Sequence, residues 1–292
     1  MPSFFFVSDL HGKPGRYRAL FEAIAHERPT AVFLGGDLFP HEMAKLPAIP
    51  GGVDGFLTGF LVAGLRQLRA QLGSAYPRVF VILGNDDPRF HEAALLRYAA
   101  EGLWTYVHRR CVAFDDWLVC GYATIPPSPF QLKDWERYDV SRYVDPGCSP
   151  PEAGRLTIPV PERELVWTTI AEELDRMVGD HDLSRALCLF HCPPHRTHID
   201  RADLDGKSID HAPVDVHIGS VAIRRFLERR RPWMGLHGHV HEAARLTGHW
   251  TDRVGDTPVV SAAHDGPELA LVRFEPEDPA AATRELLAPI ED

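Results

Sequence analysis

Asp9 and His11 stand two positions apart, and Asp37 closes a Gly-Gly-Asp triplet. Asn85 lies between Gly84 and the pair Asp86-Asp87. His191 stands next to Cys192, and His237, His239 and His241 alternate along one stretch. Carboxylates, an amide carbonyl and imidazoles, with no paired thiolates, form a donor set for hard or borderline divalent cations. Each of these blocks is entered from a short apolar run. The runs are Phe4-Phe5-Phe6-Val7, Ala31-Val32-Phe33-Leu34, Val79-Phe80-Val81-Ile82-Leu83, Ala186-Leu187-Cys188-Leu189-Phe190 and Trp233-Met234-Gly235-Leu236. Such runs, bounded by glycine or polar residues, read as buried strands. Open α/β sheets bind ligands beyond the carboxyl ends of their strands. If all five strands end at one rim, the Asp, Asn and His side chains meet there.

The order D-x-H, G-D, G-N-x-D, a lone His after a strand, then G-H-x-H resembles the calcineurin-like metallophosphoesterase superfamily from Asp9 to His241. A single block occurs by chance in many chains; five in order, each at a strand end, are specific. The resemblance implies a four-layer αββα sandwich around a pair of divalent metal ions: Mn²⁺, Fe²⁺/Fe³⁺ or Zn²⁺. It assigns Asp9, His11 and His241 to one ion, Asn85, His191 and His239 to the other, and Asp37 to both. It further implies phosphoester hydrolysis with a metal-bridging hydroxide as nucleophile. A bridging carboxylate reduces repulsion between two cations, and two metals can clamp phosphoryl oxygens. Taken singly, Asp9 reads as a turn or cap residue and His191 as a core histidine. His237 is expected to orient a neighbouring ligand or face substrate. Glu242 either orients an imidazole or is a solvated turn residue.

One block departs from the family pattern. Where the family commonly carries a histidine after the asparagine, this chain has Asp86, a carboxylate that repels a developing oxyanion unless protonated. Three readings stay open. Asp86 itself acts as the acid; or a histidine of the later loop, such as His195, His198 or His217, replaces it; or the esters have good leaving groups and need no acid. The second is favoured, with Asp86, His195 and His217 as the candidate catalytic residues. With Arg196, Arg201 and Lys207 the same histidines make that loop cationic or polar, a source of phosphate or leaving-group contacts not assignable to any one residue. The helix start at Gly219-Ser220 reads as an ordinary capped terminus ahead of an anion site. After the last histidines, Ser261 to Gly266 replaces the family's usual N-P-G-S-like segment.

Bulk composition sets the limits. The chain has 292 residues, 45% hydrophobic and 25% charged, enough for a sizeable core, with a net charge of −10. That charge disfavours a nucleic acid held by electrostatics, whereas two divalent cations would draw a small phosphorylated substrate into the cleft. The clusters Arg109-Arg110 and Arg229-Arg230-Arg231 read as solvated element ends. Five cysteines (Cys111, Cys120, Cys148, Cys188, Cys192) without C-x-x-C spacing suit reduced thiols and a cytoplasmic protein. The opening residues read as a strand and not a signal peptide, and no apolar stretch reaches membrane-span length. Oligomeric state is not legible.

The ligand blocks spread from 9 to 241, so the chain is expected to form a single domain over 1–292. Helices are expected over Pro14 to Glu27, Gly55 to Leu72, His91 to Ala100 and Pro161 to Val178, and from Gly219-Ser220 to Pro232. Strands are expected over Thr105 to His108, Cys111 to Phe114 and Trp117 to Tyr122, with Asp115-Asp116 as the turn between the last two. The proline-rich stretch at about 125–160 reads as a lid near the cleft mouth, since Trp135, Tyr138 and Tyr143 argue against disorder. Beyond His241 the chain reads as β-ribbon over Ala243 to Thr247, Pro258 to Ala262 and Glu268 to Phe274. From about 275 it reads as a mobile tail or peripheral helix. The reading is a phosphoesterase for a phosphodiester or small phosphorylated metabolite. The rivals are a phosphomonoesterase or pyrophosphohydrolase on the same metals, and a metal-binding scaffold without turnover. Another metallohydrolase built on an H-x-H pair fits poorly, because here that pair comes last.

Overall fold

The computed structural model describes residues 3–40, 55–209 and 211–291. Part of the opening segment, Met1-Pro2, lies outside them. In chain order the first half runs β1 (Phe4–Val7), α1 (Pro14–Glu27), β2 (Ala31–Gly35), a wide π-type turn (Leu57–Val62), α2 (Ala63–Leu72), β3 (Arg78–Ile82), α3 (Glu92–Ala100), β4 (Thr105–Tyr106), β5 (Arg110–Phe114) and β6 (Trp117–Tyr122). After the proline-rich stretch come α4 (Glu162–Trp167), α5 (Ile170–Val178), β7 (Ala186–Phe190), the short hairpin β8 (Ser208–Ile209) and β9 (Ala212–Pro213), and α6 (Val221–Arg230). The chain then closes with β10 (Met234–His237), α7 (Ala243–Thr247), β11 (Thr251–Val254), β12 (Thr257–Ser261), β13 (Leu269–Glu275) and β14 (Asp278–Leu287).

Two six-stranded sheets form the centre, in the orders β14-β13-β1-β2-β3-β4 and β11-β12-β10-β7-β6-β5. β1 through β4 run parallel, as do β12, β10, β7 and β6, with antiparallel strands only at the margins. The second sheet shows why its strands are apolar throughout. In β7, Leu187 and Leu189 face the first sheet, while Cys188 and Phe190 lie beneath Leu174, Ile223 and Phe226 of α5 and α6. Alternate residues of one strand therefore serve two cores. Between the sheets, Phe4 and Phe80 meet Phe114 of the second sheet at ring separations of 5.7 and 5.2 Å, and Phe33 and Phe274 pack beside them. Helices α1, α2 and α3 cover the outer face of the first sheet. The architecture is a mixed α/β fold of two large sheets flanked by helices, in agreement with the αββα expectation.

Several local expectations are corrected. Residues Ala243–Thr247 form a helical turn, not a strand: the run begins with two alanines and ends on Gly248 in the left-handed region. The segment expected as a tail holds strand β14 (Asp278–Leu287), paired to β13 across Leu269↔Leu287 to Val272↔Arg284. Its Ala/Pro/Glu composition hides an alternation that buries one face only partly, as suits an edge strand. The helix expected over 161–178 breaks at Thr168. Thr169 starts afresh there with a capping box to Glu172, and α5 is the strongly amphipathic half. Cys111 and Cys120 are joined by a disulfide, so the expectation of five reduced thiols fails for this pair. A two-residue turn at Asp115-Asp116 puts positions equidistant from it face to face, and Cys111 and Cys120 are such positions.

Candidate metal centre

Parallel β1, β2 and β3 deliver Asp9, Asp37 and Asn85 to one rim; β7 and β10 deliver His191, His239 and His241 to the same rim. The backbone there is bent sharply. Asp9 (φ 58°), His11 (φ 48°), Asp37 (φ 52°) and His239 (φ 75°) all occupy the left-handed region. Non-glycine residues rarely do so, and they cluster at sites where geometry is imposed. Hydrogen bonds hold these bends: Asp9 N–H to Gly36 O (2.9 Å), His11 N–H to Asp37 O (2.8 Å) and Asp86 N–H to Asp37 Oδ1 (2.8 Å). Two glycines permit the close approach. A Cβ on Gly84 would lie 2.3 Å from Asp37 Oδ1 and 2.6 Å from His191 Cε1; one on Gly238 would lie 2.6 Å from Asp9 Oδ2.

Among the described residues, donor atoms of Asp9, His11, Asp37 and His241 all lie within 4.8 Å of one another. His11 Nε2 is 3.0 Å from His241 Nε2, which is 3.1 Å from Asp9 Oδ1. Asn85 and His191 adjoin this group. His191 Nδ1 faces Gly35 O at 2.8 Å and is therefore its donor. Its Nε2 faces two oxygens, Asn85 Oδ1 (2.9 Å) and Asp37 Oδ2 (3.4 Å), and in the neutral ring it would turn a lone pair toward them. Asn85 is oriented that way because its amide nitrogen donates to Asp86 Oδ1 (3.0 Å). His239 joins through its ring, 5.3 Å from that of His191, and through its backbone N–H, 3.1 Å from both Asp9 carboxylate oxygens. Acceptor atoms facing acceptor atoms are stable only around a shared positive charge, either a proton or a cation. The residues present fit divalent cations: oxygen and imidazole donors, two carboxylates, no thiolate.

Electrostatics follow from this crowding. Burial alone would push the Asp9 and Asp37 carboxyls up. The imidazoles of His241 and His191 beside Asp9, and of His191 and His11 beside Asp37, outweigh it and hold both below the usual carboxylate range. Burial pushes His239 down to about 3 and lowers His11. It is opposed at His191 and His241, which the neighbouring Asp37 and Asp9 carboxylates push upward.

The other candidates lie elsewhere. His195 Nε2 is 3.4 Å from Asp215, and His217 Nδ1 is 2.8 Å from Asp200. Neither lines the cavity that opens over the cluster, and nor does His198, which pairs with Asp252. Asp86 does line it, as do Asp37, Asn85, His239, His241 and Glu242. His237 is fully buried, stacked on Phe190, with Nδ1 2.9 Å from Cys192 O; burial holds it down at about 4. Glu242 accepts from Asp203 N–H at 3.1 Å. The N-terminus of α6 is filled by the protein itself: Asp139 accepts from Ser220 Oγ, Val221 N–H and Ala222 N–H at 2.5–3.1 Å. The capped-helix reading of Gly219-Ser220 therefore holds.

Sequence reasoning missed three positioning groups. Arg16 reaches from α1 to donate to Asp9 O at 2.5 Å and to Gly266 O. Asp87, fully buried, accepts from the N–H groups of Leu38 (3.0 Å), Phe39 (2.8 Å) and Gly84 (2.9 Å) and so ties the second strand end to the third. The cavity's outer wall is Pro129, Phe130, Gln131, Leu132 and Arg155, from the proline-rich stretch. That stretch was legible as cleft-bordering from its aromatics, but nothing in its order marks which residues face inward.

A calcineurin-like phosphoesterase family profile matches residues 2–243. The chain belongs to that family. No curated protein is close enough in sequence to count as a match. One crystal structure superposes with a TM-score of 0.60 at 16% identity, over 99% of this chain and 100% of its own. A Thermus thermophilus protein aligns over 98% of both chains, at 14% identity and a TM-score of 0.54. A dimetal phosphatase from Danio rerio gives 0.51 at 13% identity, over 93% of this chain and 91% of its own. These likenesses establish a shared fold for this calcineurin-like phosphoesterase.

Proposed function

We propose that the protein is a metal-dependent phosphoester hydrolase using two divalent cations. Asp9, His11 and His241 would hold one, Asn85, His191 and His239 the other, and Asp37 would serve both. The observation that carries this reading is the set of acceptor atoms from five strand ends facing one another across a few ångströms. Divalent cations bound there would activate water and neutralise phosphoryl oxygens. The chain's own residues orient and enclose. Asp86 turns the Asn85 carbonyl inward, Arg16 and Asp87 fix the loops that carry Asp9 and Asp37, and the cavity of about 690 Å³ admits a small organic phosphate. A phosphodiester or small phosphorylated metabolite is the favoured substrate, in the cytoplasm. Acid assistance from His195 or His217 draws no support from their pairing with Asp215 and Asp200.

The test is turnover of aryl phosphate mono- and diesters with Mn²⁺, Zn²⁺, Fe²⁺ or Co²⁺, alongside metal content. Asp37→Asn is expected to lower bound metal and to reduce kcat/KM by at least about a thousandfold, a loss of roughly 4 kcal/mol of barrier lowering. Full activity in that variant, or two tightly bound ions per chain without turnover of any ester, rejects the reading. The second outcome favours the scaffold alternative.

A further inference from the structure

Opposite the metal cluster, the cavity is walled by apolar side chains from two separate loops: Pro129, Phe130 and Leu132 from one, Ile218 from the other. Phe130 is 51% exposed and Ile218 37%, two large apolar side chains left open to the same hollow. Isolated exposed apolar residues are ordinary, but two converging on the space beside a reaction centre mark a surface that a ligand covers.

The wall is also built to stay in place. Lys133 and Glu136, both fully buried, pair at 2.6 Å. Lys133 Nζ donates to Ser128 O at 2.7 Å. Glu136 accepts from Ser128 N–H (2.9 Å) and Oγ–H (2.5 Å), and Ser128 Oγ in turn accepts from Phe130 N–H at 3.1 Å. The turn bearing Phe130 is thus closed on a buried ion pair. The stretch is tied to the strand ends by Trp135 Nε1–H to Asp87 O (2.7 Å) and to α6 by Asp139. Arg155 N–H to Gln131 O (2.7 Å) and Lys133 N–H to Arg155 O (2.8 Å) add a second strand-like layer behind it. A preorganised apolar surface binds at small entropic cost.

Among the described lining residues the only imidazoles, His239 and His241, belong to the proposed metal cluster, so no separate histidine faces the leaving oxygen. From these two features, which rest on the phosphoesterase reading above, we infer that the substrate's organic part is aromatic. Its ring packs against Phe130, Leu132 and Ile218, and its aryl oxygen is the leaving atom. Water adds to phosphorus and releases one proton to solvent, and the bond from phosphorus to the aryl oxygen breaks with its electron pair going to that oxygen. The resulting phenoxide, a far weaker base than an alkoxide, takes its proton from solvent.

The experiment is calorimetric binding of naphthylmethylphosphonate and methylphosphonate to the metal-loaded protein, with hydrolysis of aryl and alkyl phosphoesters measured in parallel. Wild type should bind the naphthyl ligand on the order of tenfold or more tighter, and Phe130→Ala and Ile218→Ala should each erode that preference by about three- to tenfold. Both side chains are surface-exposed, and unchanged metal content checks that each variant is folded. Equal binding of the two ligands, no binding of either, or a preference intact in both variants overturns the inference. Hydrolysis of alkyl esters as fast as aryl esters also overturns it while leaving the phosphoesterase reading standing. Absence of all hydrolysis despite bound metal rejects that reading instead.

Discussion

At the scale of single residues, the site is a set of bends that the side chains alone would not choose. Asp9, His11, Asp37 and His239 adopt left-handed backbone angles because hydrogen bonds between neighbouring loops leave them no alternative. Asp87 is the hub: three amide donors from two loops converge on one buried carboxylate. Replacing it with alanine strands three N–H groups, each costing about 1–3 kcal/mol. Asp87→Ala should therefore lose at least about 3 kcal/mol of unfolding free energy in urea titrations, together with metal affinity; a loss below about 1 kcal/mol contradicts this role. The candidate ligands were legible because their chemistry is in their type and their position after an apolar run. Asp87 was not, because a carboxylate beside Asn85 and Asp86 reads equally well as a ligand or a turn, and only the loop it reaches tells which. The same holds for Arg16, which lies 250 positions from Gly266, whose carbonyl it holds.

At the scale of elements, the strands and most helices were legible from runs and periodicity, and the exceptions share a cause. β14 and α7 are short or edge elements whose partners, more than their own composition, decide their form. The disulfide was implicit in the hairpin register, but cysteine counting takes no account of register. With its ends nine positions apart, the bond should contribute about 2–3 kcal/mol. Denaturant midpoints with and without reductant, compared with a Cys111→Ala/Cys120→Ala variant, check this; reductant should leave the double variant unmoved. The wall network offers a pH test. Burial, against the pull of Lys133, raises the Glu136 carboxyl from 4.5 to about 7. A carboxyl raised on folding contributes stability below its unfolded value and loses it as pH climbs through the folded one. Wild type should thus lose stability relative to Glu136→Gln between pH 4.5 and about 7, and a difference flat across that window rejects the assignment. Asp139→Ala, which leaves the first two N–H groups of α6 without their acceptor, should cost about 1–2 kcal/mol by the same measurement.

At the scale of the whole molecule, the C-terminal segment finishes the first sheet. β14 pairs along β13, Arg284 donates to Ala263 O at 2.7 Å, and Ile290 N–H reaches Gly15 O at 3.1 Å. A chain ending at Glu275 should melt at least about 5 °C lower, corresponding to roughly 2 kcal/mol. It should also bind metal more weakly, since the loop at 264–266 that Arg16 holds would lose its neighbour. Unchanged melting of the truncated chain contradicts a sealing role for β14.

The parallel strands that aim every candidate ligand at one rim also leave the far rim uninvolved. There the exposed turns Asp115-Asp116 and Gly255-Asp256 precede β6 and β12. A fluorophore or surface tether attached at either turn would sit at the strands' amino ends, a full strand length from the cavity. The molecule could then be immobilised or observed during turnover without obstructing the entry of its substrate.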